Sequence, residues 1–301
     1  MVQKTDTRPR EAAIVESVRT NSFGTFGHLL GCAETFEAAV IDPGGPIASL
    51  LEKAKQTNLT INKILITHEH LDHIAGVAAL KQALPAAEIY IHPAGVPMYH
   101  AKGVPVPFAE WESLWSSWMG RRIVDSVSST LLGAPYEQPN EPDHMLQGGD
   151  TVTVGSLSVR VSETPGHAAG AVSLFVDQEG LIFTGDTVMG GVVGRTDLPG
   201  ASGFDMFSSL KHLTSEFENA CKDATLYTGH APPTLVSTEL SRNIYLNNTL
   251  RFVPTHILGN ALFVVLLWFA WSGFKQTLSL FRKLSHPQGK DRVKLVEKKT
   301  K

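Results

Sequence analysis

The stretch KILITHEHLDHIAGVAAL, residues 63–80, places four potential metal ligands between an apolar β-type run and a helix-like segment. These ligand-type side chains are His68, His70, Asp72 and His73, which fall within six residues. Imidazole and carboxylate groups are common ligands of zinc and iron in proteins. His68 and His70 can converge on one ion, whereas Asp72 and His73, at the helix start, favour a second. The sequence therefore predicts a metal site in this stretch.

Three further β-type runs end in a threonine that is followed, within three residues, by a ligand-type side chain. The runs read VRVSETPGH, LIFTGD and TLYTGH, and they lead to His167, Asp186 and His230. Another strand-like run, AAVID, closes at Asp42 before a Pro-Gly-Gly turn. Because strand ends in an open sheet form one rim where sites collect, these side chains are expected to meet. The pattern predicts one site built from distant parts of the chain.

The composition is that of a globular protein, with 301 residues, 43% of them hydrophobic and 18% charged, and a net charge of −3. That charge gives no general reason to expect a nucleic-acid partner. The cysteines, Cys32 and Cys221, show no metal or redox spacing, so His and Asp must supply the ligands. Residues 1–12 lack the apolar core of a secretory signal peptide and are expected to form a loose tail. Strand-like runs alternating with helical ones predict a mixed α/β or α+β chain.

The order HEHLDH, TPGH, TGD and TGH strongly resembles the metallo-β-lactamase-fold superfamily, and within it the glyoxalase II-like (hydroxyacylglutathione hydrolase-like) hydrolases. The resemblance includes the turn IDPGG, the loop GRTDLPG at residues 194–200, and GHAPPT at residues 229–234, where relatives usually show GHGPxT. It covers roughly residues 13–250. It implies an αββα sandwich as the fold of a catalytic domain over that range.

Carried over position by position, the resemblance implies two groups of ligands joined by one carboxylate. His68, His70 and His167 would hold a first metal ion, Asp72, His73 and His230 a second, with Asp186 bridging the two and Asp42 orienting a ligating imidazole. The implied cofactors are two divalent ions, with zinc expected and iron or manganese as alternatives. The implied reaction is hydrolysis of a small-molecule thioester or ester by a water that the ions activate. Asp72 would orient that water or pass a proton.

Two other functions stay open on the sequence. The persulfide dioxygenases share this scaffold but use one iron, for which His68, His167 and Asp186 would be the ligands. The other alternative is a metal-binding membrane scaffold without catalytic activity. Glutathione specificity is also open, because only a short helix to about Leu250 follows Thr234, where full-length glyoxalase II has a sizeable helical domain. The oligomeric state is left open.

Two segments are candidates for contact with the substrate. In the GRTDLPG loop, Arg195 and Asp197 could pair to fix the loop or could bind the substrate. Residues 94–147 form an aromatic-rich insertion in which Trp111, Trp115 and Trp118 fall on one face of a helix. That face is expected either to pack as core or to form a lid, or a membrane-dipping surface, for a hydrophobic acyl substrate.

The end of the chain differs in composition. Residues 257–274 contain no charged residue and would span about 27 Å as a helix, against about 30 Å for a hydrocarbon core. We therefore expect a membrane-anchor helix there with lipid as a partner, and a buried or dimer-forming helix as the alternative. Residues 275–301 form a basic, amphipathic tail that ends in KKTK, which resembles an endoplasmic-reticulum retrieval signal of eukaryotes. The expected location is membrane-associated, with a cytosolic catalytic domain.

Overall fold

The structure is a computed structural model that describes residues 12–100, 130–133, 137–219 and 223–247. These residues belong to one compact unit, Met1–Pro254. Two six-stranded sheets form its framework.

The first sheet follows chain order. Its strands are β1 (Ala13–Arg19), β2 (Phe26–Cys32), β3 (Glu37–Ile41), β4 (Thr60–Leu65), β5 (Glu88–Ile91) and β6 (His144–Met145). The pairs β1–β2 and β2–β3 are antiparallel, and the pairs from β3 to β6 are parallel. The parallel strands β3 and β4 therefore end at the same edge, which brings Asp42 and the residues after Leu65 together.

The second sheet has the order β14–β13–β10–β9–β8–β7. Its strands are β7 (Thr151–Val154), β8 (Leu157–Glu163), β9 (Val172–Val176), β10 (Leu181–Gly185), β13 (Thr225–Thr228) and β14 (Thr234–Leu235). All pairs are antiparallel except β10–β13. A separate hairpin joins β11 (Val188–Met189) to β12 (Val192–Val193).

Six helices accompany the sheets in the described part of the chain. They are α1 (Ala48–Gln56), α2 (Leu71–Ile74), α3 (Val77–Ala83), α4 (Val96–His100), α5 (Gly203–Asn219) and α6 (Val236–Arg242), with a 3-10 turn at Pro93–Gly95. Helix α5 buries Leu213 and Phe217 on one face, while Lys211 and Glu218 on the other are exposed.

Three buried clusters explain the layering. Leu65 of the first sheet packs with Phe183 of the second in a cluster between the sheets. Leu50 of α1 belongs to a cluster on the outer face of the first sheet, and Phe217 of α5 to one outside the second. Each sheet thus buries apolar side chains on both faces, which explains why β9 is buried throughout. The described residues form mixed α/β sheets with the layer order helix, sheet, sheet, helix, as the sequence predicted.

The prediction of a membrane-associated location is wrong, because no helix within the described ranges is both long and apolar enough to cross a bilayer. The longest of them, α5, has 17 residues and is amphipathic, since it packs one face on the second sheet. Three predicted segments lie outside the described residues. They are the apolar segment 257–274, the basic tail 275–301 and most of the insertion 94–147, with Trp111, Trp115 and Trp118.

Candidate metal centre

The predicted ligands lie after four strands, in the loops that follow them and in the short helix α2. His68 and His70 lie on an extended segment after β4, and His70 immediately precedes α2, which carries Asp72 and His73. The remaining ligands come from the second sheet, where His167 follows β8, Asp186 follows β10 and His230 follows β13. The structure brings all seven predicted ligands into one cluster, described by its distances below.

The first ligand group consists of His68, His70 and His167, whose ligand atoms all lie within 4.8 Å of one another. His70 Nδ1 is 2.9 Å from His167 Nε2. All three side chains are buried. Burial lowers the pKa of His70 to about 3 and holds the pKa of His68 well below its usual value. These two imidazoles are therefore neutral at physiological pH and keep a lone pair for a cation.

The second ligand group consists of Asp72, His73 and His230. Asp72 Oδ2 lies 3.2 Å from His230 Nε2 and 3.7 Å from His73 Nε2. Burial opposes the charged form of both histidines, but hydrogen bonds to Asp186 and Asp72 outweigh it and raise the pKa of His230 to about 9. Burial is likewise outweighed at His73, whose pKa is raised by the charges of the same two carboxylates. The carboxylates therefore attract positive charge into this group.

Asp186 lies between the two groups. Its Oδ2 atom is 3.4 Å from His167 Nε2 in the first group and 3.2 Å from His230 Nε2 in the second. Its Oδ1 atom is 3.5 Å from His73 Nε2. Although burial favours the neutral acid, the charge of His73 and a hydrogen bond from His230 hold the pKa of Asp186 well below its ordinary value. One anionic carboxylate thus faces ligand atoms of both groups.

Buried polar atoms test whether the residues present fit metal ions. Among the described residues, the Nε2 atoms of His68 and His73 and the Oδ1 atom of Asp186 are buried without a hydrogen-bond partner, as is His70 Nε2, whose ring turns Nδ1 toward His167 instead. An unpartnered buried polar atom costs about 1–3 kcal/mol, so the three that face the cluster need an explanation. Divalent cations would ligate atoms of this kind, and a His and Asp donor set suits zinc or iron.

Asp42 orients two of the imidazoles, that of His73 directly and that of His68 through the Thr67 hydroxyl. Its carboxylate accepts from Thr67 N at 2.7 Å, from Thr67 Oγ1 at 2.6 Å and from His73 Nδ1 at 3.0 Å. Because the Thr67 hydroxyl donates to Asp42, it accepts from His68 Nδ1, 3.1 Å away. Both histidines therefore keep Nε2 turned toward the cluster. Asp42 adopts a φ of 52°, a left-handed backbone conformation that is strained for a residue other than glycine. Backbone strain of this kind is often found at functional sites.

A family profile described as "Metallo-beta-lactamase superfamily" matches residues 36–230, which include every residue of the two groups and Asp186. The chain belongs to the metallo-beta-lactamase superfamily. It is similar to the probable metallo-hydrolase YqgX of Bacillus subtilis, 27% identical over 216 residues (70% of this chain, 88% of the relative). It is also similar to hydroxyacylglutathione hydrolase GloC of Haemophilus influenzae, 25% identical over 214 residues (70% and 88%).

Solved structures of the superfamily agree with this assignment. The BLEG-1 B3 metallo-beta-lactamase is 27% identical with a TM-score of 0.61, covering 77% of this chain and 99% of its own. TTHA1623 in a di-iron-bound form is 28% identical with a TM-score of 0.56, covering 78% and 95%. The chain is accordingly a metal-dependent hydrolase of the superfamily with a small-molecule substrate, and its His and Asp clusters imply divalent metal ions.

The superfamily loop GRTDLPG lies against the first ligand group. The main-chain carbonyl of Arg195 accepts from His167 Nδ1 at 2.9 Å, which fixes that ring. The Arg195 side chain forms a two-point ion pair with Asp197, with N–O distances of 2.6 and 2.7 Å. The guanidinium is half exposed. The structure thus pairs the two side chains with each other.

Glycine is required where the second-sheet loops meet the cluster. A Cβ atom at Gly229 would overlap Asp186 Oδ1 and come 2.7 Å from His73 Cε1. Gly185 has a φ of 49° and would overlap Thr67 Oγ1 if it carried a Cβ. The TGD and TGH motifs therefore need their glycines, because the loops approach the ligands too closely for any side chain.

The sequence reasoning did not identify the loop between β1 and β2. Thr25 Oγ1 donates to Asp72 Oδ2 at 2.7 Å, Asn21 Nδ2 donates to the Asp72 main-chain oxygen at 2.9 Å, and Phe23 O accepts from His230 Nδ1 at 3.3 Å. Asn21, Phe23 and Thr25 do not form a metal-ligand pattern in the sequence, so no signal pointed to them. A polar run between two strands is equally typical of an ordinary turn.

Proposed function

We propose that this protein is a binuclear hydrolase that cleaves a thioester or ester of a small acyl compound, with zinc as the expected metal. The observation that carries the proposal is the position of Asp186, whose two oxygens face imidazole nitrogens of both ligand groups within 3.5 Å. A carboxylate shared between two sets of ligands suits a pair of cations better than a single one. The first ion would be held by His68, His70 and His167, the second by Asp72, His73 and His230, and Asp186 would bridge them.

The chemistry follows from those roles. When bound, two divalent cations would polarise a carbonyl and lower the pKa of a coordinated water from about 16 toward about 7. Asp72 has the position and charge to orient that water or take its proton. Burial disfavours its anion, but the charge of His73 and a hydrogen bond from His230 keep the pKa of Asp72 low, so it is a carboxylate at neutral pH.

The substrate is expected to enter on the side of the second ligand group. His230 and Asp72 of the second group have side chains 27% and 17% exposed, whereas His68, His70 and His167 of the first group are buried. Phe23, about half exposed, flanks this group through its carbonyl, which accepts from His230 Nδ1, and Arg195, also about half exposed, flanks the first group through its carbonyl, which accepts from His167 Nδ1. The thioester class is supported by the likeness to a relative named as a hydroxyacylglutathione hydrolase.

The proposal is tested with zinc-loaded protein on a hydroxyacylglutathione thioester, an aryl ester and a persulfide. We expect hydrolysis of the thioester or ester, and His70→Ala and Asp186→Ala should each abolish it without unfolding the protein. His144→Ala is the matched control, because His144 is exposed and stacks on Tyr90, outside both ligand groups. Substantial hydrolysis by Asp186→Ala with one ion bound would refute the binuclear mechanism. One iron per chain in the protein as purified, with oxygen uptake on persulfide by that protein, would favour the dioxygenase instead.

A further inference from the structure

The loop of residues 20–25 between β1 and β2 contacts both ends of the second ligand group. The Thr25 hydroxyl donates to the Asp72 carboxylate, and the Asn21 side-chain amide donates to the Asp72 main-chain oxygen. The main-chain carbonyl of Phe23 accepts from His230 Nδ1. In addition, Phe26 N donates to Gly229 O at 2.7 Å, next to His230 in the chain. Asp72 follows a strand of the first sheet and His230 a strand of the second, but both are hydrogen-bonded to this one loop.

Thr25 occupies a fixed position in the loop. Its side chain is buried, and its main-chain carbonyl accepts from Thr20 N at 2.9 Å and Thr20 Oγ1 at 3.1 Å. Its main-chain N–H donates to Asn21 Oδ1 at 3.3 Å. These bonds hold the backbone on both sides of Thr25. The Thr25 side chain therefore loses little conformational freedom when its hydroxyl donates to Asp72.

The Thr25 hydroxyl binds the oxygen of Asp72 that faces the other ligands. That oxygen, Oδ2, is the one 3.2 Å from His230 Nε2 and 3.7 Å from His73 Nε2. A carboxylate oxygen has two lone pairs. When the hydroxyl takes one, the other stays directed at the imidazole nitrogens. Asp72 is also the most exposed carboxylate of the cluster, so solvent competes for it more than for Asp186.

We infer that Thr25 is a positioning residue that holds the Asp72 carboxylate in the orientation needed to bind the second metal ion. This inference rests on the proposed binuclear function. Partners in the layer outside the ligands orient them, and their loss weakens metal binding about 10–100-fold. Removal of the hydroxyl should therefore lower the affinity for the second ion by about that factor. The affinity for the first ion, held by His68, His70 and His167, should not change.

The experiment measures two successive zinc dissociation constants for the full-length protein by competition with a chromophoric chelator. Thr25→Val keeps the shape of the side chain and removes the donor, and Thr25→Ala removes the donor in a second way in case valine prevents folding. Both should weaken the second zinc ion selectively, and Thr25→Ser should restore its affinity. Thr20→Val is the matched control, because it removes another hydroxyl bond of the same loop without contact to Asp72.

The possible outcomes separate the inference from the function on which it rests. If the wild type binds two zinc ions and the folded Thr25 variants bind both equally well, the inference fails and the binuclear function stands. Equal weakening by Thr20→Val, or no rescue by Thr25→Ser, would also overturn it, because the effect would then belong to loop stability. If the wild type binds fewer than two ions, the binuclear function fails and the inference with it.

Discussion

The substitution Asp42→Asn should impair the metal centre through a residue that is not itself a proposed ligand. Asp42 is buried and accepts three hydrogen bonds, two from Thr67 and one from His73 Nδ1. An amide of the same shape has one acceptor oxygen, so its NH2 group must face either the fixed main-chain N–H of Thr67, at the Oδ1 position, or both Thr67 Oγ1 and His73 Nδ1, at the Oδ2 position. If the His73 tautomer changes to satisfy that NH2 group, the proton moves to Nε2, the atom turned toward the second ligand group.

The magnitude follows from the bonds that Asp42 makes. Loss of an outer partner of a metal ligand should weaken the second zinc ion about 10–100-fold. Hydrogen bonds to a charged group contribute about 1.5–3 kcal/mol and neutral ones about 0.5–1.5, so the metal-free protein should lose about 2–4 kcal/mol of unfolding free energy. For a domain of this size, that loss corresponds to a fall in Tm of roughly 4–16 °C.

Calorimetric zinc titration and thermal unfolding with and without chelator measure the two effects separately. Asp150→Asn is the control, since Asp150 is an exposed carboxylate that accepts from Gln147 N in a turn. It should leave both zinc affinities at their wild-type values. Wild-type affinity for both ions in Asp42→Asn would refute the claim that the carboxylate sets the His73 tautomer.

Three further outcomes are expected. Gly229→Ala should lower metal content measured by elemental analysis, because the added Cβ would displace Asp186; full loading would contradict the close approach. Burial lowers the pKa of His28 to about 4, so unfolded chains bind more protons below pH 6.5, and unfolding free energy should fall by up to about 3 kcal/mol between pH 6.5 and 4. Denaturant unfolding should find a shallower pH dependence in His28→Gln, and an unchanged slope would assign the acid sensitivity elsewhere. Phe183→Ala, at the buried contact between the sheets, should cost about 3–5 kcal/mol in the same assay, and a loss below 1 would contradict that packing.

Most of the site could be predicted because its ligands are marked by strand ends. His68, His167 and Asp186 each follow an apolar run and a threonine, and the structure brings them together as the sequence indicated. The two-sheet arrangement was also predictable, since the motif order resembles one superfamily. The strand-end pattern included Asp42, but its role of orienting a ligating imidazole depended on that resemblance, because a single aspartate before a Pro-Gly-Gly turn carries no spacing signal of its own.

The rest could not be predicted for physical reasons. Strand β2 reads FGHLLGC and is buried on both faces, so it lacks the alternation that identifies a strand with one face in solvent. Thr25 meets Asp72 across 47 positions of the chain, and only the folded sheets create that contact. The predicted membrane location rested on the apolar composition of residues 257–274, and composition alone does not fix where a segment packs.

Zinc titration of metal-free protein, with hydrolysis measured at each step, tests the central claim most directly. Two ligand groups that share Asp186 predict binding of two zinc ions per chain and thioester or ester hydrolysis that rises with the second equivalent. Saturation at one ion per chain, or full activity after the first equivalent, would contradict the binuclear account.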